Sequence, residues 1–230
     1  MPGTAAKGPA PRERSAAARA RLLAAASELF YAEGVQSVGI DRVIEHAGVA
    51  KATLYSAFGS KEGLVCAYLR ARHAATMQRV SDELEARYPT ARERLVGIFE
   101  VQGLSFTDPG FRGCAFVGAK AEAPPGGAVD EVVGEYRAWL HGLFSGLAQE
   151  AGAADPGSLA RQLVLVYDGA GISAWMDSDG GADVAARAVA AALVSAAIPA
   201  GAAADNSVAD GNGRGSRSTH VRPNPAADLG

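Results

Sequence analysis

Between Gly34 and Gly59 the chain carries two runs of eight residues, "IDRVIEHA" and "KATLYSAF", parted only by "GVA". That layout leaves few options. Val43, Ile44 and Ala47 recur at helical spacing in the first run, and Leu54, Ala57 and Phe58 stand at i, i+3 and i+4 in the second. Gly48 is placed to end the first helix, and Gly59-Ser60 to end the second. Ser60 then reads as the N-cap of a long fourth helix, with Glu62 in its first turn. Upstream, Leu22, Ala26, Leu29 and Phe30 form an apolar stripe that predicts a helix over 12–33, stopped by Gly34. Two short helices joined by a tight glycine turn are the skeleton of a helix-turn-helix.

Packing Leu54, Ala57 and Phe58 inward leaves Lys51, Ala52, Thr53, Tyr55 and Ser56 on the outer face. In a recognition helix such residues enter the major groove, where hydroxyls meet base edges or phosphates and small side chains allow close approach. Lys51 adds a phosphate or guanine contact, and Lys61 can hold the backbone at the start of the next helix. Spacing alone equally allows a small helical hairpin with an ordinary polar face. Charge is distributed in the same sense. The net charge is −3, yet residues 1–61 hold eight Lys/Arg against five Asp/Glu, and the remainder holds 14 against 20. A basic head on an acidic body suits a small DNA-binding module joined to a separate domain.

The rest of the chain reads as helices over about 90–106, 111–123, 130–151, 158–176 and 183–198, broken by "TDPG", "APPGG", "ADPG" and "DSDGG". No segment alternates as a strand does. The fold class expected is all-α. Residues 1–11 and 199–230 have too few large apolar side chains to bury and are expected to be disordered. That leaves a DNA-binding head over 12–60 and a helical body over 61–198. Arg214, Arg217 and Arg222 in the tail read as solvated charge or as nonspecific DNA contacts.

Other classes find little support. Cys66 and Cys114 with four scattered histidines make no metal pattern, and no cofactor is expected. There is no apolar run long enough for a membrane span and no hydrophobic signal region, so a cytoplasmic protein without a membrane partner is expected. Nucleophile elbow and phosphate loop are both missing, which argues against an enzyme that merely keeps a vestigial head.

The stretch "GVAKATLYSAFGSKEGLV" resembles the recognition-helix signature of the TetR family of bacterial transcriptional regulators, G-V-S-K-x-T-L-Y-x-H-F-x-S-K-E-x-L. Gly48, Val49, Lys51, Thr53, Leu54, Tyr55, Phe58, Ser60, Lys61, Glu62 and Leu64 match it, and "AAASELFYAEGVQSVGIDRVIEHAGVA" is similar to the family's first two helices. The resemblance implies a three-helix head, a linking fourth helix and a helical body for ligand binding and dimerisation. It implies that Lys51, Thr53, Tyr55 and Lys61 touch DNA, with Arg42 beside them, and that Ala52 and Ser56 face the groove. Three departures stand out. Ala50 replaces the usual Ser and forfeits a side-chain cap, Gly39 replaces a common phosphate-contacting Thr, and Ser56-Ala57 replaces a bulkier or His-containing pair.

Two body segments, "FRGCAFVGAKAE" and "RQLVLVYDGAGISAWMD", resemble pieces of TetR-like C-terminal domains. By that likeness the helices near 158–176 and 183–198 form the homodimer interface, and a cavity accepts a small apolar or aromatic ligand. Phe106, Phe116, Trp139 and Tyr167 are the aromatic candidates for its wall, and His73 and Met77 for its floor. Cys114 reads as either a thiol sensor or an ordinary free cysteine. Asp168, an acid inside "LVLVYDGAGI", needs a partner if buried: a ligand, a neighbouring helix or a second subunit. The function expected is a homodimeric repressor released from a palindromic DNA operator by a ligand. A regulator governed by abundance or by a protein partner is the alternative.

Overall fold

The computed structural model describes residues 10–177 and 180–199 of the chain. Residues 1–9 and 200–230, which make up most of the two tails expected to be disordered, lie outside the described residues, as do the tail arginines. The described residues form nine α-helices and no strand: α1 Pro11–Glu33, α2 Ile40–Ala47, α3 Lys51–Phe58, α4 Lys61–Arg87, α5 Ala91–Gly103, α6 Ala115–Glu122, α7 Ala128–Glu150, α8 Pro156–Met176 and α9 Ala182–Ala197. None of these helices is long and apolar enough to cross a membrane.

Local chemistry accounts for several helix ends. Ser60 Oγ accepts from the Gly63 amide at 3.0 Å and starts α4. Thr90 and Glu93 form a reciprocal capping box at α5. Asp155 caps α8 by accepting from the Ser158 amide at 2.9 Å, with Pro156 in the first turn, where its missing N–H costs nothing. Gly48 ends α2 in the left-handed region at φ 60°, ψ 46°, a conformation that penalises a side chain.

Two expected boundaries move by three residues or more. The fifth helix ends at Gly103 rather than Phe106, because residues 104–107 turn more tightly through Ser105 N–H to Gln102 O and Phe106 N–H to Gly103 O. The sixth begins at Ala115 rather than Phe111. Gly113 sits at φ 80°, which a right-handed helix cannot contain, so residues 111–114 run as a loop.

Two apolar cores result. One gathers α1, α2, α3 and the first half of α4 around Leu22, Phe30, Leu54, Leu64 and Tyr68, and it also takes in Phe116 of α6 and Val132 and Tyr136 of α7. The other packs the end of α4 with α5, α7, α8 and α9 around Leu95, Phe99, Phe144 and Leu163. The head–body boundary expected at residues 60–61 marks the start of α4, whereas the cores part about halfway along that helix. α4 and α7 therefore span both cores.

Candidate nucleic-acid interface and ligand cavity

The geometry of α3 follows from one fully buried residue. Leu54 is 0% exposed, while Ala57 and Phe58 are half-buried, and the Arg19 guanidinium of α1 covers the Phe58 ring at 4.8 Å. With that side docked, Lys51, Ala52, Tyr55 and Ser56 are exposed, and Thr53 is half-buried. Lys51 Nζ donates to Asp41 Oδ1 of α2 at 2.8 Å, and this hydrogen bond, followed by the Asp41 charge, holds the ammonium above its ordinary pKa. Arg42 pairs with Glu33, and His46 meets Glu28 at 2.8 Å. All of these pairs are exposed, so their cations can exchange an acid for a phosphate at little cost. Lys61, half-buried, opens α4, and Ala50 at the start of α3 is exposed.

Ala50 stands in the extended conformation of an N-cap, φ −73° and ψ 149°, with no side-chain acceptor for the amides of α3. Ala50→Ser is expected to add about 1 kcal/mol of stability, which is about 2–4 °C in Tm for a chain of this size. A thermal melt checks it. An unchanged midpoint would show that those amides already find acceptors.

Beside α4 lies a cavity of about 670 Å³, bounded by α1, α5, α8 and the α5–α6 connection, and a neighbouring one of about 500 Å³. They share a wall of Tyr31, Gln102, Gly113, Cys114, Tyr167 and Gly171. Tyr167 is deeply packed, and burial pushes its phenol up to about 12. Gln102 is only 8% exposed; its amide nitrogen donates to the Tyr167 carbonyl at 2.9 Å, and its Oε1 has no partner. Cys114 opens onto both cavities, but the protein around its sulfur raises the thiol above its usual value, opposite to the shift that makes a cysteine a ready oxidation sensor.

Two sets of hydrogen bonds tie this wall to the head. The Tyr31 hydroxyl of α1 donates to the Gly113 carbonyl and accepts from the Arg112 amide, both at 3.0 Å. At the far end of α6, the Gln36 amide donates to the Glu122 carboxylate at 2.6 Å, and the Gln36 side chain donates to the Glu122 carbonyl at 3.2 Å. The short α6, which carries Phe116 into the cavity, is thus held at both ends by the segment around α1.

Of the cavity residues expected from sequence, Phe106, Cys114, Phe116 and Tyr167 line the larger space, and Cys114, Tyr167 and Asp168 line the smaller. His73 and Trp139 line neither. His73 instead packs among Phe116, Tyr136 and Trp139, at 5.4 Å from the Trp139 ring, and burial lowers its pKa. Met77 is 41% exposed and also lines neither space, because the α4 stripe facing the larger cavity is Arg72, Ala75, Thr76 and Arg79. Asp168 has its partner within the chain: Arg137 Nη1 of α7 donates to both carboxylate oxygens, at 2.7 and 2.8 Å. Sequence reasoning missed Gln102, Arg72 and Arg79. The signal existed, as a glutamine three and four residues past Phe99 and Ile98 on an apolar stripe, and as two arginines at i and i+7.

Residues 22–68 match the family model described as bacterial regulatory proteins, tetR family. A crystal structure of a TetR-family transcriptional regulator from Streptomyces coelicolor is 32% identical, with a TM-score of 0.74, and covers 79% of this chain and 96% of its own. The transcriptional repressor NemR of Escherichia coli is 30% identical over 105 residues, which is 45% of this chain and 53% of NemR. The transcriptional activator FasR of Mycolicibacterium smegmatis is 46% identical over 55 residues, 24% of this chain and 25% of FasR. The chain thus spans about half the length, or less, of these curated relatives.

Proposed function

Because this chain belongs to the TetR family of bacterial regulatory proteins, we propose that it is a homodimeric DNA-binding transcription regulator, a repressor that leaves its palindromic operator when a small molecule fills the cavity beside α4. The observation that carries the DNA-binding part is the outer face of α3, where Lys51, Ala52, Tyr55 and Ser56 stand exposed on a helix anchored by Leu54. In a dimer, two copies of α3 set about 34–36 Å apart enter successive major grooves. Lys51, Thr53, Tyr55, Lys61 and Arg42 hold phosphates, and Ala52 and Ser56 approach the bases, with Ala50 at the helix start. Dimerisation uses α8 and α9, whose outer faces carry Leu165, Ile172, Trp175, Met176, Val184 and Val189 at 45–73% exposure.

Release by ligand follows from the tethers. A molecule seated against Phe116 and Cys114 pushes on α6, and Tyr31 and Gln36 pass that displacement to α1 and the α1–α2 turn. α4, which spans both cores, moves with it as the lever. Coupling of about 1–3 kcal/mol changes operator affinity severalfold to a hundredfold. Among the relatives named above one is a repressor and one an activator, so the sign of regulation rests on a reporter assay, in which loss of the protein is expected to raise transcription.

DNA binding is tested by fluorescence anisotropy on duplex from around the chain's own gene, across a salt series. Affinity should fall as salt rises, and Lys51→Ala should reduce the slope of log affinity against log salt by about 1. Tyr55→Ala should weaken binding by about fivefold, the worth of one hydrogen bond of about 1 kcal/mol. Affinity equal to that for random duplex and untouched by either substitution would count against the reading.

A further inference from the structure

We infer that the cavity beside α4 takes an organic acid: a molecule with an apolar body, one carboxylate-like anion and one hydroxyl or N–H donor. This rests on the ligand-cavity reading above and adds the chemical class. The charged residues lining the larger cavity are Arg72, Arg79 and Asp108. Arg72 Cζ stands over the Tyr31 ring, 3.7 Å from its centroid, and Arg79 donates to Ser105 Oγ at 2.6 Å. Among the described residues neither guanidinium reaches a carboxylate, whereas Arg42, Arg70, Arg87, Arg137 and Arg187 each do. Two half-buried cations on one stripe, against a single exposed acid, leave the space electropositive. A guanidinium fork presents paired N–H donors that match a carboxylate.

The neighbouring space has no such excess of positive charge. Its charged lining residues are Arg112, Glu122 and Asp168, and Asp168 is already neutralised by Arg137. An anion therefore seats on the α4 side. The apolar body meets Phe106, Phe116 and Tyr167.

Gln102 supplies the third requirement. Its amide cannot be turned round, because the nitrogen donates to the Tyr167 carbonyl and a flip would set oxygen against oxygen. Oε1 has no protein donor and is closed off from both spaces in this conformation, so a ligand donor meets it once the Gln102 side chain, part of the wall common to both cavities, shifts slightly. An orphaned acceptor in such a place rewards a ligand that brings a donor and penalises one that does not.

The test is isothermal titration of the full chain with four probes of one shape: hydroxynaphthoate, naphthoate, naphthol and naphthylmethylammonium. Hydroxynaphthoate is expected to bind about tenfold tighter than naphthol and about tenfold tighter than naphthoate, and the ammonium weakest. Arg72→Gln with Arg79→Gln should erase the first ratio and keep the second. Gln102→Leu, which is similar in volume and removes the orphaned oxygen, should erase the second and keep the first. Hydroxynaphthoate binding no tighter than naphthol or no tighter than naphthoate, preference for the ammonium, ratios indifferent to the substitutions, or no binding by any probe each overturns the inference. Anisotropy on the operator duplex, run alongside, separates the two readings. Probes that bind in the expected order without loosening DNA keep the ligand class and sink the switch; release of DNA by the ammonium alone keeps the switch and sinks the class.

Discussion

Gly63→Ala is expected to weaken operator binding at least about tenfold while the helical body stays folded. A Cβ at residue 63 would lie 2.1 Å from the Phe58 carbonyl oxygen and 3.3 Å from its carbon. Those are backbone atoms, so no rotamer change relieves the clash, and the last turn of α3 must swing away from the first turn of α4. Leu54 is buried at 0% exposure, and Phe58 sits under Arg19. The displacement is thus taken up as a tilt of α3, the element proposed to enter the major groove. Overpacking of this kind costs about 1–3 kcal/mol, less than the about 5–15 kcal/mol that holds a domain folded but large for a helix that must present side chains to base edges. Operator affinity should fall at least about tenfold, since contacts worth about 1–3 kcal/mol apiece are misplaced together. Ser60→Ala is the control. It removes the cap at the same junction, at a cost of about 1 kcal/mol, without forcing α3 to move, and should still bind DNA. Circular dichroism with anisotropy reads both variants, and wild-type affinity in Gly63→Ala would show that α3 does not need this junction.

Leu165→Glu is expected to turn a dimer into a monomer and to remove specific DNA binding with it. Leu165 is 73% exposed, and Ile172, Trp175 and Met176 follow at one- and two-turn intervals on α8 at 45%, 59% and 70%. Burying one such side chain fully contributes about 1.5–3 kcal/mol, and a carboxylate placed among them must be desolvated without a partner. The effect on DNA is compounded, because each head alone is left with binding in the nonspecific range of about 10⁻⁴–10⁻⁶ M at physiological salt. Met77→Glu gives the comparison: this methionine on α4 is also exposed, at 41%, but lies off the α8–α9 face, so the variant should remain dimeric. Light scattering at several concentrations decides it. A dimeric Leu165→Glu that still binds the operator would move the interface elsewhere.

Gly48 and Gly113 illustrate what a sequence makes legible. Gly48 could be placed at the end of α2 because an apolar stripe stops there, and the structure has it at φ 60°. Gly113 sat in a segment whose composition is compatible with a helix, and the expected sixth helix ran through it; its φ of 80° moves the start to Ala115. Gly63 falls at a position that the TetR signature leaves open, and its constraint exists only once α4 is laid against the last carbonyl of α3.

The same division holds for the site. The outer face of α3 was legible, since a single buried leucine and the helical period decide which side chains point away. The cavity was not. Tyr31 meets Gly113 across 82 residues, Gln102 meets Tyr167 across 65, and Asp168 finds Arg137 across 31. What the sequence determined by itself is the order of helices, most of their ends and the polar face of the recognition helix, because those depend on residues three or four apart and on the φ each residue tolerates. The tertiary structure alone decided that Arg72 and Arg79 face a cavity without carboxylate partners, that Gln102 keeps an unmet acceptor, and that Met77 looks outward. Those properties belong to whichever helix is packed opposite, and local periodicity contains no term for it.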